Sequence, residues 1–302
     1  MSFITDNTKE MPAGKRILLY LFLLVLGLLI GSLASVAITL AGNNSVNALR
    51  WAQAVSSTFL FIFPPIALYL FTRKQPMRQI GFTKPNNILI MFLGVVIMFA
   101  SMPFNSQLAV WNENMQLPAA LSKLEEIIKA AEEQAQQLTE QMLNVNTLGG
   151  LLSNLIVIAL IAAVGEELTF RGVIQQFLTK ICKNAHVAII LSAAIFSAIH
   201  FQFYGFLPRF VLGIFLGYFF YMTKSLWTSI LMHFANNALA VIAYYLNNIG
   251  VINVDVDTMG TTAWYITILS AIVCIALIVI SWQKTKNDEA ASESDTASGH
   301  QV

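Results

Sequence analysis

The chain has 302 residues, 57% of them apolar and 11% charged, with a mean hydropathy of +0.68 and a formal net charge of +1. An ordinary soluble domain carries roughly 25% charged residues, so this depletion argues against a soluble enzyme and for an all-α, polytopic membrane helix bundle. The near-neutral balance gives no electrostatic footprint for nucleic acid, and Cys182 and Cys274 lie too far apart in sequence for metal-like or disulfide-like spacing.

A membrane-spanning helix needs about 20 largely apolar residues. About eight transmembrane helices are expected on that basis: Ile17–Leu40, Ala52–Phe71, Ile88–Phe104, Leu151–Phe177, Ala185–Phe203, Leu207–Met222, Leu226–Leu246 and Thr262–Trp282. The first follows a basic "GKR" but is longer than the apolar stretch of a secretory signal, so it is expected as a retained span. Between the third and fourth lies the longest polar connection. Within it, "LSKLEEIIKAAEEQAQQLTEQML" places Leu121, Leu124, Ile127, Ile128, Ala131, Ala135, Leu138 and Met142 at helical spacing, an extramembrane amphipathic helix. Ser122 and Glu125 have capping-box spacing. This helix is expected to lie on the membrane or cap the bundle, with a substrate gate as the sharper alternative. The tail after Trp282 is polar, lacks core-forming residues and is expected to be disordered.

Orientation follows from Lys and Arg. With both termini cytoplasmic, the inner segments carry Lys9, Lys15, Arg16, Arg73, Lys74, Arg78, Lys84, Lys180, Lys183, Lys224, Lys284 and Lys286, against Arg50, Lys123, Lys129 and Arg209 outside. The expected organisation is a cytoplasmic N-terminal tail (1–16), three spans (17–104), an outward loop with the amphipathic helix (105–149), a core of spans (150–247), an outer loop with the last span (248–282) and a cytoplasmic tail (283–302). Trp51, Trp227, Trp264 and Trp282 fall at span ends, as interfacial indoles do.

The informative residues are the polar ones inside apolar runs: Glu166, Glu167 and Arg171 in the fourth, His200 in the fifth, and His233, Asn236 and Asn237 in the seventh. Each charge placed in lipid costs on the order of 3 kcal/mol on insertion scales. Glu167 and Arg171 are four apart and can pair on one helical face. Taken singly, each residue has a structural explanation: a Glu–Arg staple, a hydrogen-bonded histidine, an amide bonding across helices. Taken together they exceed it, because the staple leaves Glu166 spare.

Two chemistries suit the set. In one, Glu166 acts as a general base on water, a role for which burial and a nearby cation adjust a carboxyl group in opposite senses. His200 then polarises that water, and His233 and Asn237 donate hydrogen bonds to the oxyanion of a tetrahedral intermediate. In the other, Glu166, His200 and His233 form a His₂Glu set of the kind zinc accepts at an open catalytic site. No H-E-x-x-H is present, and no Ser-His or Cys-His pair offers a good nucleophile, although Ser197 lies one turn from His200.

Three short motifs carry a family resemblance. "EELTFR", "FSAIH" and "HFANN" match, in order, the E-E-x-x-x-R, F-x-x-x-H and H-x-x-x-N of the CPBP intramembrane proteases, the CAAX-protease and bacteriocin-processing group that includes the type II prenyl-protein endopeptidases. The resemblance covers about a third of the chain, roughly Leu151–Leu246. It implies a catalytic glutamate at Glu166, with Glu167 and Arg171 completing the first motif, His200 the second, and His233 and Asn237 at the oxyanion. Metalloprotease chemistry and metal-free glutamate chemistry are both associated with such proteins, and the metal-free form is favoured here. No cofactor is certain, and zinc is the first choice if a divalent metal takes part.

The expected protein is therefore a multi-pass cell-membrane endopeptidase acting on a membrane-associated, hydrophobic or lipidated peptide or protein, with membrane lipid as its surroundings and no nucleic-acid partner. The rivals are a non-catalytic scaffold or bacteriocin immunity protein and a proton-coupled transporter; no duplicated halves support the last. One geometric difficulty accompanies this reading. With the fifth span drawn to Phe203, His200 sits about 6–10 Å from the depth of Glu166, so a bend, a tilt or an earlier helix end is required.

Overall fold

The computed structural model describes residues 11–73, 75–254, 256, 260 and 262–298, with side chains to residue 290. Lys9 and Lys74 of the charge count and the last four residues lie outside these. Among the described residues every regular element is helical. Six helices are long and apolar enough to cross a membrane: α1 (Ala13–Ala41), α2 (Val46–Thr72), α6 (Leu148–Cys182), α8 (Phe203–Thr223), α9 (Leu226–Asn248) and α10, whose apolar part is Trp264–Ala290. A seventh crossing is a bent pair, α3 (Ile88–Ala100) and α4 (Met102–Glu113), and the eighth apolar segment is the short α7 (Ala185–Ala198). The protein is a multi-pass membrane helix bundle. Its lipid-facing belt is plain on α1, where Leu18, Leu21, Phe22, Val25, Leu29 and Leu33 are all exposed.

Three boundaries differ from the sequence expectation. The third span bends by 49° at Ser101, and α4 continues through residues assigned to the outward loop. Pro103 supplies the reason: it has no N–H to donate to Phe99, so the helix breaks and restarts with proline in its first turn. Asn112 then anchors α4 to the bundle, donating to the Phe203 carbonyl at 2.9 Å and accepting from the Leu207 N–H at 2.7 Å.

The fifth span ends at Ala198. Fourteen residues rise only about 21 Å, short of the roughly 30 Å of a hydrocarbon core. The chain leaves this half-span through Phe201, which adopts a left-handed φ of 52°.

The tail expected to be disordered continues as helix, α10 running from Trp264 to Ser298. Lys224 pairs with Glu289 at 2.7 Å, and Asn87 donates to Asp288 at 2.6 Å, tying this extension to loops on the same end of the bundle. Lys284 and Asp288, four apart, add a pair along the helix.

The amphipathic helix α5 (Ser122–Leu143) matches its expected limits, and it turns its apolar and protein-facing stripes in different directions. Leu124, Ile127 and Leu138 are exposed, whereas Glu125, Ile128, Glu132 and Ala135 form the stripe that faces the protein. Ser122 lies inside the helix and makes no capping bond, so the capping box is absent. Glu125 instead pairs with Lys129 at 3.0 Å and accepts from the Tyr204 hydroxyl at 3.0 Å, while Glu132 accepts from the Tyr204 N–H at 3.1 Å.

Candidate active site

The first motif lies on α6, whose geometry changes twice around it. A stretch of wider, π-helical turns spans Leu155–Ile161, ordinary α-helix covers Ala162–Thr169, and a second π-helical stretch covers Phe170–Ile174. Such turns re-register the faces of a helix and recur at functional sites. Close packing holds the motif in place. A Cβ on Gly165 would stand 2.9 Å from the Phe61 Cβ, so only glycine lets α2 and α6 approach this closely. Thr169 donates to the Phe61 carbonyl at 2.9 Å and fixes the same contact.

Glu167 and Arg171 point inward and are fully buried, with Arg171 Nη1 donating to Glu167 Oε1 at 2.7 Å. Arg171 Nη2 donates to the Gly213 carbonyl on α8 at 2.7 Å, and the cation lies 5.2 Å from the centre of the Phe196 ring. The expected pair is thus formed, and it binds three helices together. Glu167 does more than staple. Its Oε1 also lies 2.9 Å from His233 Nδ1 on α9, so Nδ1 donates this bond and Nε2 makes no hydrogen bond to a described residue.

Glu166 differs from its neighbour. Its side chain retains 13% exposure against none for Glu167, and its nearest charged partner is His233 Nε2, 3.8 Å from Oε2. It accepts no hydrogen bond from a described residue. His200 sits on the turn beyond α7, its Nδ1 donating to the Phe196 carbonyl at 2.8 Å, which likewise leaves Nε2 free. Phe196 links the two imidazoles: its ring meets His200 at 5.2 Å and His233 at 5.9 Å between centroids, both edge to face. The early end of α7 carries His200 on a turn and not on a continuing span, where Phe196 lies between it and His233.

Asn237 is one turn along α9 from His233 and reaches the Ile158 carbonyl of α6 at 3.5 Å; Asn236 donates to Asn237 Oδ1 at 3.2 Å. Ser197 is occupied elsewhere, donating to the Phe206 carbonyl at 2.7 Å. Among the described residues no group of three or more His, Cys, Asp or Glu side chains converges to hold a metal ion. His233 and His200 each engage a protein oxygen through Nδ1, an arrangement that leaves Nε2 of both rings available.

Two features went unread in the sequence. The π-helical turns leave no compositional trace. Arg209, on the first turns of α8, interacts electrostatically with Glu166 and with Glu132 of α5. A single charge in the apolar run "FLPRFVLGIF" was the available signal, and it was counted only toward orientation.

Helices crossing a membrane around a buried cluster of glutamates, histidines and an amide define the class: a multi-pass membrane protein with a protease-type polar centre. Residues 148–239 match the family model described as type II CAAX prenyl endopeptidase Rce1-like. All three motifs fall inside that segment, just under a third of the chain, and the match bears out the CPBP family resemblance: the chain carries a CAAX-protease-type domain. No curated protein and no solved structure matches the chain.

Proposed function

We propose that the protein is an intramembrane endopeptidase, with both termini on the cytoplasmic side, that hydrolyses a peptide bond in a hydrophobic or lipidated membrane-associated substrate by glutamate-activated water. One observation carries the reading. Of two adjacent carboxylates, Glu167 is closed off from solvent and engages Arg171 and His233 through Oε1, while Glu166 keeps accessible surface and accepts no hydrogen bond from a described residue. A partly exposed carboxylate inside an apolar bundle, with no protein group bonded to it, is open to water and substrate.

The steps follow from the hydrogen bonds. Glu166 takes a proton from a water held between it and the free Nε2 of His200, and the water oxygen adds to the scissile carbonyl carbon. The developing oxyanion accepts hydrogen bonds from Asn237 Nδ2 and from His233 Nε2 in its protonated form. Glu167, already bonded to His233 Nδ1, stabilises that imidazolium as the buried carboxylate of a catalytic triad does. The intermediate collapses with cleavage of the C–N bond, and Glu166 returns its proton to the leaving amine. Glu167 and Arg171 are tolerated because they neutralise each other inside the bundle, and Glu166 because it keeps access to water.

The test is cleavage mapping by mass spectrometry with purified protein in detergent, across peptides that include hydrophobic and lipidated members. Wild type should cleave and Glu166→Gln should not. Equal cleavage by both would overturn the assignment, and binding without cleavage in wild type would favour a scaffold.

A further inference from the structure

Arg209 is a half-buried cation beside the cluster, and no described carboxylate lies within ion-pair distance of it. Its Nη1 donates to the Gln202 carbonyl at 3.4 Å and its Nη2 donates to Gln202 Oε1. Both acceptors are neutral and belong to one residue, two positions beyond His200. The guanidinium is pressed over the backbone there: a side chain at Gly205 would collide with it. Nε donates to no described residue.

The other buried arginines of the outer half and the core are treated differently. Arg171 has a carboxylate and a carbonyl at 2.7 Å each. Arg50 spreads its three nitrogens over Asn154 Oδ1, Asn47 Oδ1 and the Met142 carbonyl, at 2.8, 2.8 and 2.6 Å. Arg209 alone of the three is held by a single neutral residue. It stands between two fields, Glu166 within the cluster and Glu132 on the inward face of α5, and forms an ion pair with neither. It also lies near enough to interact electrostatically with His200. A guanidinium taken partly out of water is stabilised most by a planar anion that accepts two of its N–H groups.

We propose that Arg209 is a substrate-binding residue that receives a carboxylate carried close to the scissile bond, supplied either by the peptide's C-terminus or by an Asp or Glu side chain. This rests on the reading of Glu166 as the hydrolytic base. The Gln202 bonds hold the guanidinium beside the His200 turn, and the carboxylate adds the anionic partner that the protein withholds. Docking it there sets the register of the peptide against Glu166. Tyr204, two positions beyond Gln202, is bonded to Glu125 and Glu132, so the anion site lies beside the part of the chain that α5 packs on.

The experiment separates binding from cleavage by using the Glu166→Gln protein in detergent. Fluorescence anisotropy is measured for one hydrophobic peptide in three forms: with a free C-terminal acid, as the neutral amide, and as the amide with a glutamate near the centre. At least one carboxylate-bearing form should bind about tenfold or more tightly than the neutral amide, as expected for hydrogen bonds to a charged group. Which form does so identifies the source of the carboxylate.

Adding Arg209→Gln should erase that preference and leave the neutral amide unchanged, and Arg209→Lys should retain part of it. A merely structural arginine would give a different pattern, weakening all three peptides together and lowering the unfolding temperature. That pattern, equal affinity for the three forms, or no binding of any of them overturns the inference. If the Arg209-dependent preference is present but wild type cleaves nothing, the hydrolytic reading fails and the carboxylate site stands. If cleavage depends on Glu166 but ignores both the carboxylate and Arg209, the inference fails alone.

Discussion

Glu166 and Glu167 are neighbours in sequence, yet replacing each by glutamine should produce opposite phenotypes. Glu167 is inaccessible to solvent and holds Arg171 at 2.7 Å and His233 at 2.9 Å. Neutralising it leaves the Arg171 guanidinium buried without its counter-charge, a change that costs about 3–5 kcal/mol. Glu166 has no hydrogen bond to lose, and glutamine keeps its shape, so Glu166→Gln should stay within about 1 kcal/mol of wild type. At roughly 2–4 °C per kcal/mol, Glu167→Gln lowers the unfolding temperature on the order of 10 °C, against a few degrees at most for Glu166→Gln.

Thermal unfolding in detergent, followed by intrinsic fluorescence, reads both variants in one series. Arg171→Met should destabilise about as much as Glu167→Gln. The double variant should be less destabilised than the sum, because neither charge is then stranded. Equal destabilisation by the two glutamate changes, or simple additivity in the double variant, would refute the division of labour between the carboxylates.

Phe201 holds a left-handed φ of 52° with its side chain 87% exposed, so Phe201→Gly removes a strain of about 1 kcal/mol and should raise the unfolding temperature by a few degrees. Gly165→Ala places a Cβ 2.9 Å from that of Phe61 and should cost about 1–3 kcal/mol, measurable in the same assay and absent if α2 and α6 are not packed here. The bond from Lys129, then that from Tyr204, holds the Glu125 carboxyl below its ordinary value of 4.5. Because the folded value is depressed, the stabilisation is complete above pH 4.5 and is lost as pH falls through the lower value. Hydrogen exchange of the α5 amides should therefore be flat from pH 7 to 5, after correction for intrinsic rates, and accelerate below that; Glu125→Gln should remove the dependence.

The sequence by itself determined the class of this protein. Apolar runs of spanning length force a helical bundle, since helices satisfy their own backbone in lipid. The spacing of Glu167 and Arg171 fixed their pairing because four residues make one turn. The three motifs, with Glu166, His200, His233 and Asn237, were legible for the same reason: polar residues are conspicuous where each one is costly.

Tertiary structure decided what local pattern cannot encode. Only packing shows that Glu167, and not Glu166, is consumed by both Arg171 and His233, because that depends on α9 arriving at α6. Hydropathy could not end α7 at Ala198, since "IHFQF" reads as apolar whether or not it is helical. The face of α5 that packs inward could not be read from its own pattern, because its partner Tyr204 is a polar group distant in sequence. A helix turns toward the surface that satisfies it, and that surface exists only once the chain has folded.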